Sequence, residues 1–409
     1  MLWYSLHSCL HDGQVWVCVW DLMKICISFF LFSTFIIFND AGKNADKSIS
    51  VCAILSSHKK IIAQAKIFVY SNMRKNQSQT DASHNFAVLH ARFVPEYSPA
   101  LFYTVLDQCR DMGVLSLTLS GGEPMLHKNF CDFLRQAKKF DFSINILSNL
   151  TLLNDEIIAE MKANRLSSVQ VSLYSMNPEI HDSITKLSGS FYKTRDNILR
   201  LIENDIPLQI SCPTMKQNRN CFADVMQWAH EHKCRATTDY IMMARYDHTT
   251  DNLDNRLSLD EVGKIMKEVI SLDDNYQRAI LADNFDVQEN RDRSDDLVCG
   301  VCVSSICMVA NGNVYPCSGW QSYICGNVKE MSLSEIWNNS PKVKYLRSLR
   351  KRDFPECSGC ENRGFCAMCM VRNANEDPEG NPLRINNHFC KVAALNKEIV
   401  LEWKEKLKA

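Results

Sequence analysis

From Cys357 to Cys369 the chain reads CSGCENRGFCAMC, two CxxC pairs within 13 residues, and no other segment limits the surrounding fold as strongly. Thiols at that spacing are held together either by disulfides or by a shared metal centre. Disulfide frameworks belong to small secreted domains that lack a sufficient core, whereas this chain has 409 residues, of which 46% are hydrophobic. A chain with its own core and paired cysteines points to metal or redox chemistry in a reducing compartment, so a cytoplasmic location is expected. Of the 19 cysteines, seven lie between Cys317 and Cys390. Upstream, CGVCVSSICMVANGNVYPC supplies Cys299, Cys302, Cys307 and Cys317, and Asn311-Gly312 reads as a tight hairpin turn that brings two ligand-bearing strands together. The candidate metal ligands are Cys299, Cys302, Cys317, Cys357, Cys360, Cys366, Cys369 and Cys390. Cys302 and Cys307 compete for one position, and Cys302 is preferred. Spacing alone leaves zinc and iron-sulfur both open. Cys109, Cys131, Cys212, Cys221 and Cys234 lack paired spacing and read as core residues.

From about Ser98 onward, helix-like and strand-like segments alternate. Ser98-Pro99 is an N-cap followed by proline at the first helical position, and apolar residues recur at helical spacing until Gly113. Strands are expected over 114–119, 143–147, 169–173, 208–212 and 237–242, with helices over 129–139, 155–163, 192–204 and 222–232 between them. Such alternation predicts parallel strands covered by helices, either a βα barrel or an open doubly wound sheet. In both, ligands gather at the carboxyl ends of the strands. Polar residues just past those ends are therefore the informative ones: Ser120 to Glu123, Ser148, Asn149, Ser172, and Asp239 to Arg245. A polar linker over 283–296 is expected before the cysteine-rich region. Ser332 and Glu335 form a capping box there, and Ser340-Pro341 opens a second helix reaching about Arg350.

Lys and Arg total 46 against 47 Asp and Glu, so no net field draws the chain to nucleic acid or to an anionic membrane. The basic run Arg347 to Arg352 reads as a solvated helix face. Residues 22–38 are almost wholly apolar yet shorter than the ~20 residues of a spanning helix. Membrane association through them stays open, and no charged flank or small-residue cleavage site marks a signal peptide.

Taken together, GNVYPC ending at Cys317, the helix entry GNVKEMSLSEIW, the CxxCxxxxxCxxC group and Cys390 resemble a SPASM domain. SGGEP at Ser120 to Pro124, SNLTLL at Ser148 to Leu153 and VSLYS at Val171 to Ser175 resemble the barrel of the radical S-adenosylmethionine enzymes. The resemblance implies an α/β fold: a partial (βα)6 TIM-like barrel, incomplete at its amino terminus, followed by a small cysteine-rich SPASM domain. The implied division is an atypical segment at 1–80, the barrel at 81–285, the SPASM domain at 297–392 and a C-terminal helix at 393–409. The implied cofactors are S-adenosyl-L-methionine and one or two auxiliary 4Fe-4S clusters. Gly121, Gly122 and Glu123 would hold the methionine amino group, and Ser148, Asn149 and Ser172 would lie near the ribose or carboxylate. The implied partners are a peptide or protein substrate and a reductant such as flavodoxin or ferredoxin.

The chain departs from that family pattern at one point. The family's catalytic cluster is held by CxxxCxxC in the loop after the first barrel strand, and no cysteine stands between Cys52 and Cys109. One expectation is a degenerate relative that keeps the fold and the auxiliary clusters. The other, favoured by the abrupt end of the resemblance, is that residues before about 80 are not the family's own amino terminus. On either, the polypeptide as written is expected not to cleave S-adenosylmethionine. Two functions of other classes compete, a non-catalytic iron-sulfur or electron-transfer module and a zinc-binding interaction protein.

Overall fold

The computed structural model describes residues 66–71, 98–282 and 294–408. Its first strand, β1, is Lys66–Ser71. Helix α1, Pro99–Asp111, starts where the Ser98 side chain accepts the Leu101 N–H, and it buries Phe102, Val105, Leu106 and Cys109. There follow β2 (Ser116–Gly121), α2 (Phe130–Lys139), β3 (Ser143–Ser148), α3 (Asp155–Asn164) and β4 (Ser168–Ser172). The alternation continues through α4 (Pro178–Thr185), α5 (Ser190–Glu203), β5 (Leu208–Pro213), α6 (Phe222–Glu231) and β6 (Arg235–Asp239). Helices α7 (Leu259–Leu272) and α8 (Asp274–Leu281) complete this part.

Each neighbouring pair from β1 to β6 is parallel, and the six lie in sequential order across the sheet. A doubly wound sheet reverses its strand order at a switch point, whereas sequential winding without reversal is the barrel pattern. The two architectures left open by the alternation are thereby resolved in favour of the partial barrel. Leu117, Ile146, Val169, Val171, Ile210 and Cys212 are all but fully buried, in one core with Phe102, Leu134, Ile198 and Val225 of the helices.

The cysteine-rich part does not stand apart from this sheet. Strands β7 (Ser305–Val309), β8 (Asn313–Tyr315) and β9 (Gly326–Asn327) extend it, with β7 pairing in parallel with β1. The nine strands run β6-β5-β4-β3-β2-β1-β7-β8-β9. β7 and β8 form the expected hairpin, with Met308 opposite Val314. Its turn requires Gly312, which has φ +93° and whose Cβ would meet Asn327 Oδ1 at 2.6 Å. Next come α9 (Leu333–Asn339), α10 (Pro341–Ser348), α11 (Pro355–Ser358), α12 (Met370–Glu376) and the long α13 (Asn387–Lys408). The Ser332–Glu335 capping box opens α9 as expected.

Three boundaries and one side-chain environment differ from the sequence expectation. The sheet takes in Lys66–Ser71, inside the segment expected to lie outside the barrel. β6 ends at Asp239 because that side chain accepts the Ile241 N–H at 2.8 Å and turns the chain out of the strand. α13 starts at Asn387 and so carries Cys390, because Val392, Ile399 and Val400 pack against Val262, Ile265, Met266 and Ile270 of α7. Arg347 is no solvated surface residue: its Nε donates to the Cys302 carbonyl, and its guanidinium lies 4.7 Å from the Trp337 ring centre. The apolar stretch 22–38 and most of the expected linker lie outside the described residues. Among the described residues no helix is long and apolar enough to cross a membrane.

Candidate functional site

The carboxyl ends of β2, β3 and β4 bring the predicted residues to one rim. Gly121 ends β2 with φ +147°, a backbone state that side chains disfavour, and Ser148 and Ser172 end β3 and β4. Glu123, 1% exposed, is the hub. Its Oε1 accepts from Ser148 Oγ at 2.8 Å and from the Met125 N–H at 3.1 Å, and its Oε2 accepts from the Asn149 N–H at 2.8 Å. Burial pushes the Glu123 carboxyl up to about 7, against these three donors, which favour the carboxylate. The turn beyond is held as tightly: Asn149 Oδ1 accepts from Thr151, and Asn197 Nδ2 donates to the Leu150 carbonyl at 2.7 Å. With its oxygens taken by its own chain, Glu123 braces the rim, where Gly121 is buried and Gly122 half-buried.

Further along, Asp239 ends β6. Its Oδ2 is buried without a hydrogen-bond partner, and burial pushes the carboxyl up to about 6, against the Ile241 N–H and the Arg372 charge. The cysteine-rich part packs against this end: Arg256 forms a largely buried ion pair with Glu376, which also accepts from Asn386 Nδ2 at 2.6 Å. Asn375 Nδ2 donates to the carbonyls of Ala244 and Gly319.

The thiols form two neighbourhoods. Cys357, Cys360, Cys366 and Cys390 lie within electrostatic reach of one another. Burial first, then the neighbouring thiols, pushes Cys357 and Cys366 up to about 11. Cys369 is close to both Cys366 and Cys317, and Cys317 in turn to Cys307. Cys299 is half-buried against the core. Cys302 sits elsewhere. It is fully buried with φ +56°, hydrogen-bonded to the Cys325 thiol, and its own thiol is held far above the ordinary range by that bond and by burial. The structure therefore places Cys307, not the preferred Cys302, beside the ligand candidates.

Two family models match parts of the chain. The Radical SAM superfamily model matches residues 90–229, and that of the SPASM iron-sulfur cluster-binding domain matches 299–361. The chain carries a radical SAM domain followed by a SPASM domain. The AdoMet-dependent heme synthase of Methanosarcina barkeri is 25% identical over 287 residues, 65% of this chain and 80% of the relative. The PqqA peptide cyclase of Xanthomonas oryzae pv. oryzae is 25% identical over 295 residues, 68% of this chain and 77% of the relative. Among solved structures, anSMEcpe with bound AdoMet and Cp18Cys peptide shares the fold, with a TM-score of 0.63 at 15% identity, over 84% of this chain and 99% of that one.

A radical SAM domain and a SPASM domain imply 4Fe-4S clusters, and the donor set here suits them. Among the described residues no three His, Cys, Asp or Glu side chains close on one point as they would around a single ion. Four thiols gathered in one neighbourhood are the donor set that a 4Fe-4S cluster takes. Cys325 and Arg372 were missed from the sequence. Neither belongs to a spaced motif, and both become conspicuous only through what they touch.

Proposed function

We propose that this chain is a radical SAM/SPASM protein of the peptide- or protein-modifying kind, in which the catalytic cluster motif is degenerate. The observation that carries the reading is the gathering of Cys357, Cys360, Cys366 and Cys390 in a domain that packs over the carboxyl end of the barrel. S-adenosylmethionine would sit at the rim of β2, β3 and β4, against main-chain groups of Gly121 and Gly122 and beside Ser148, Asn149 and Ser172. Glu123 would act by holding that rim in shape. Cys299, Cys317 and Cys369, with Cys307, would hold a second auxiliary cluster. When bound, the clusters supply one-electron chemistry. A peptide substrate is supported by the PqqA peptide cyclase and by the peptide bound to anSMEcpe. A flavodoxin or ferredoxin reductant in a cytoplasmic setting follows from the same reading.

The extent of β1 favours degeneracy over an unrelated amino terminus. β1 ends at Ser71, and a CxxxCxxC motif starting at that strand end would fall on Ser71, Lys75 and Ser78. None of the three carries a thiol. As written, the chain would act as an iron-sulfur module without S-adenosylmethionine cleavage. The test is anaerobic reconstitution of the full chain with iron and sulfide, followed by assay for 5′-deoxyadenosine, beside a variant carrying Ser71→Cys, Lys75→Cys and Ser78→Cys. The parent is expected to take up iron and release no 5′-deoxyadenosine, and the triple variant to gain further iron and some cleavage. A parent that binds only zinc would overturn the iron-sulfur reading. A parent that turns over would overturn the degenerate one.

A further inference from the structure

Arg372 lies in α12 and is 6% exposed, and among the described residues it forms no ion pair with a carboxylate. Two contacts fix its guanidinium among the cysteines. Nη1 donates to the carbonyl of Ala367, next to Cys366, at 3.2 Å, and the guanidinium lies 5.0 Å from the ring centre of Phe389, next to Cys390. Arg256 approaches the same ring at 5.4 Å, but its charge is answered by Glu376. A buried guanidinium without a counter-charge costs several kcal/mol, so one should be present in the working protein. Two groups lie within its field: the Cys366 sulfur, which becomes anionic when it ligates a metal centre, on one side and the Asp239 carboxyl, with its unpartnered oxygen, on the other.

We propose that Arg372 is the counter-charge of the centre formed by Cys357, Cys360, Cys366 and Cys390, setting its reduction potential and linking it electrostatically to Asp239 at the barrel rim. The inference rests on reading these thiols as cluster ligands. A thiolate-ligated iron-sulfur centre is anionic and becomes more so on reduction, so a fixed cation beside it favours the reduced state, and a fixed anion opposes it. Arg372 is a positioning residue, since it acts through the centre and not on substrate.

The test is a redox titration of the reconstituted full chain, followed by absorbance and electron paramagnetic resonance, with iron and sulfide content measured on the same samples. Arg372→Gln is expected to keep its iron and sulfide and to titrate at a more negative midpoint than the parent. Arg372→Lys should return toward the parent value, and Asp239→Asn should shift the midpoint the other way, to more positive potential. An Arg372→Gln protein with full iron and an unchanged midpoint overturns the proposal, as does an Arg372→Lys protein that behaves like Arg372→Gln. Should Arg372→Gln lose its iron, the comparison passes to Asp239→Asn, and an unchanged midpoint in that variant overturns the proposal. A parent that takes up no iron sinks the ligand reading and this inference with it, whereas the other failures leave that reading standing.

Discussion

The Asn149 backbone N–H donates to Glu123 Oε2 at 2.8 Å, tying the loop after β3 to the loop after β2. The bond joins residues 26 positions apart at the rim where the barrel would receive its ligand, and it makes that rim one rigid piece. Ser148 completes the brace from the strand end itself, donating to the other carboxylate oxygen at 2.8 Å.

Replacing Glu123 with Gln should therefore weaken both stability and cofactor binding. Gln can accept from Ser148 and Met125 through its oxygen, but its amide nitrogen then faces the Asn149 N–H, donor against donor. Leaving one buried donor unpaired costs on the order of 2 kcal/mol. Urea denaturation should show a loss of that order, and calorimetry should show weaker S-adenosylmethionine binding. A variant as stable as the parent would mean that the rim relaxes to find another acceptor.

The thiol neighbourhoods predict which cysteines matter for iron. Replacing Cys357, Cys360, Cys366 or Cys390 with Ser should lower the iron and sulfide bound after reconstitution. Cys302→Ser and Cys325→Ser should leave them unchanged, because those two thiols satisfy each other inside the core. Iron lost in Cys302→Ser to the same degree as in Cys366→Ser would restore the ligand role that spacing favours for Cys302.

The Arg256–Glu376 ion pair joins the segment before α7 to α12 of the cysteine-rich part. Removing one member of a buried pair strands the other charge and costs about 3–5 kcal/mol. Glu376→Ala should show most of that loss in denaturant unfolding, and Arg256→Ala combined with Glu376→Ala should recover part of it. A double-mutant cycle with no coupling would place the burden on Asn375 and its two carbonyl partners.

The strand ends were legible because a polar or glycine residue halting an apolar run marks the edge of a buried layer, as Gly121 and Ser148 do. The hairpin was legible from the pair Asn311-Gly312, and the structure gives the reason for glycine there, since its positive φ and the nearby Asn327 leave no room for a side chain. What could not be read was non-local. The pairing of β1 with β7 joins segments far apart in the sequence, and no periodicity announces it. Cys302 was preferred because spacing records where a thiol lies along the chain, and its bond to Cys325 depends on how the chain folds back. Arg347 looked like one member of a solvated basic run, yet the Cys302 and Trp337 carbonyls draw it inward.

His181 gives the pH prediction. It is 1% exposed, its Nδ1 accepts the Tyr174 N–H at 3.3 Å, and Tyr174 and Phe191 flank its ring at 5.6 and 5.8 Å. Burial lowers its pKa from 6.5 to about 4, and the adjacent Asp182 carboxylate only partly opposes that shift. The folded protein thus keeps His181 neutral down to about pH 4, while in the unfolded chain it protonates near 6.5. Between those values the unfolded state binds the extra proton, so the contribution is fully present above pH 6.5 and is lost as pH falls through the window. At 1.36 kcal/mol per pH unit the loss amounts to about 3 kcal/mol. Glu123 and Asp239, both raised by burial, act in the opposite sense over an overlapping range, since the fold accepts their protons more readily than the unfolded chain does. The raw stability profile therefore mixes the three, and a difference measurement isolates His181. Urea denaturation of the parent and of His181→Gln from pH 8 to pH 4 should show the parent's advantage shrinking by up to that amount as the pH falls. Parallel profiles would mean that His181 is protonated within the fold.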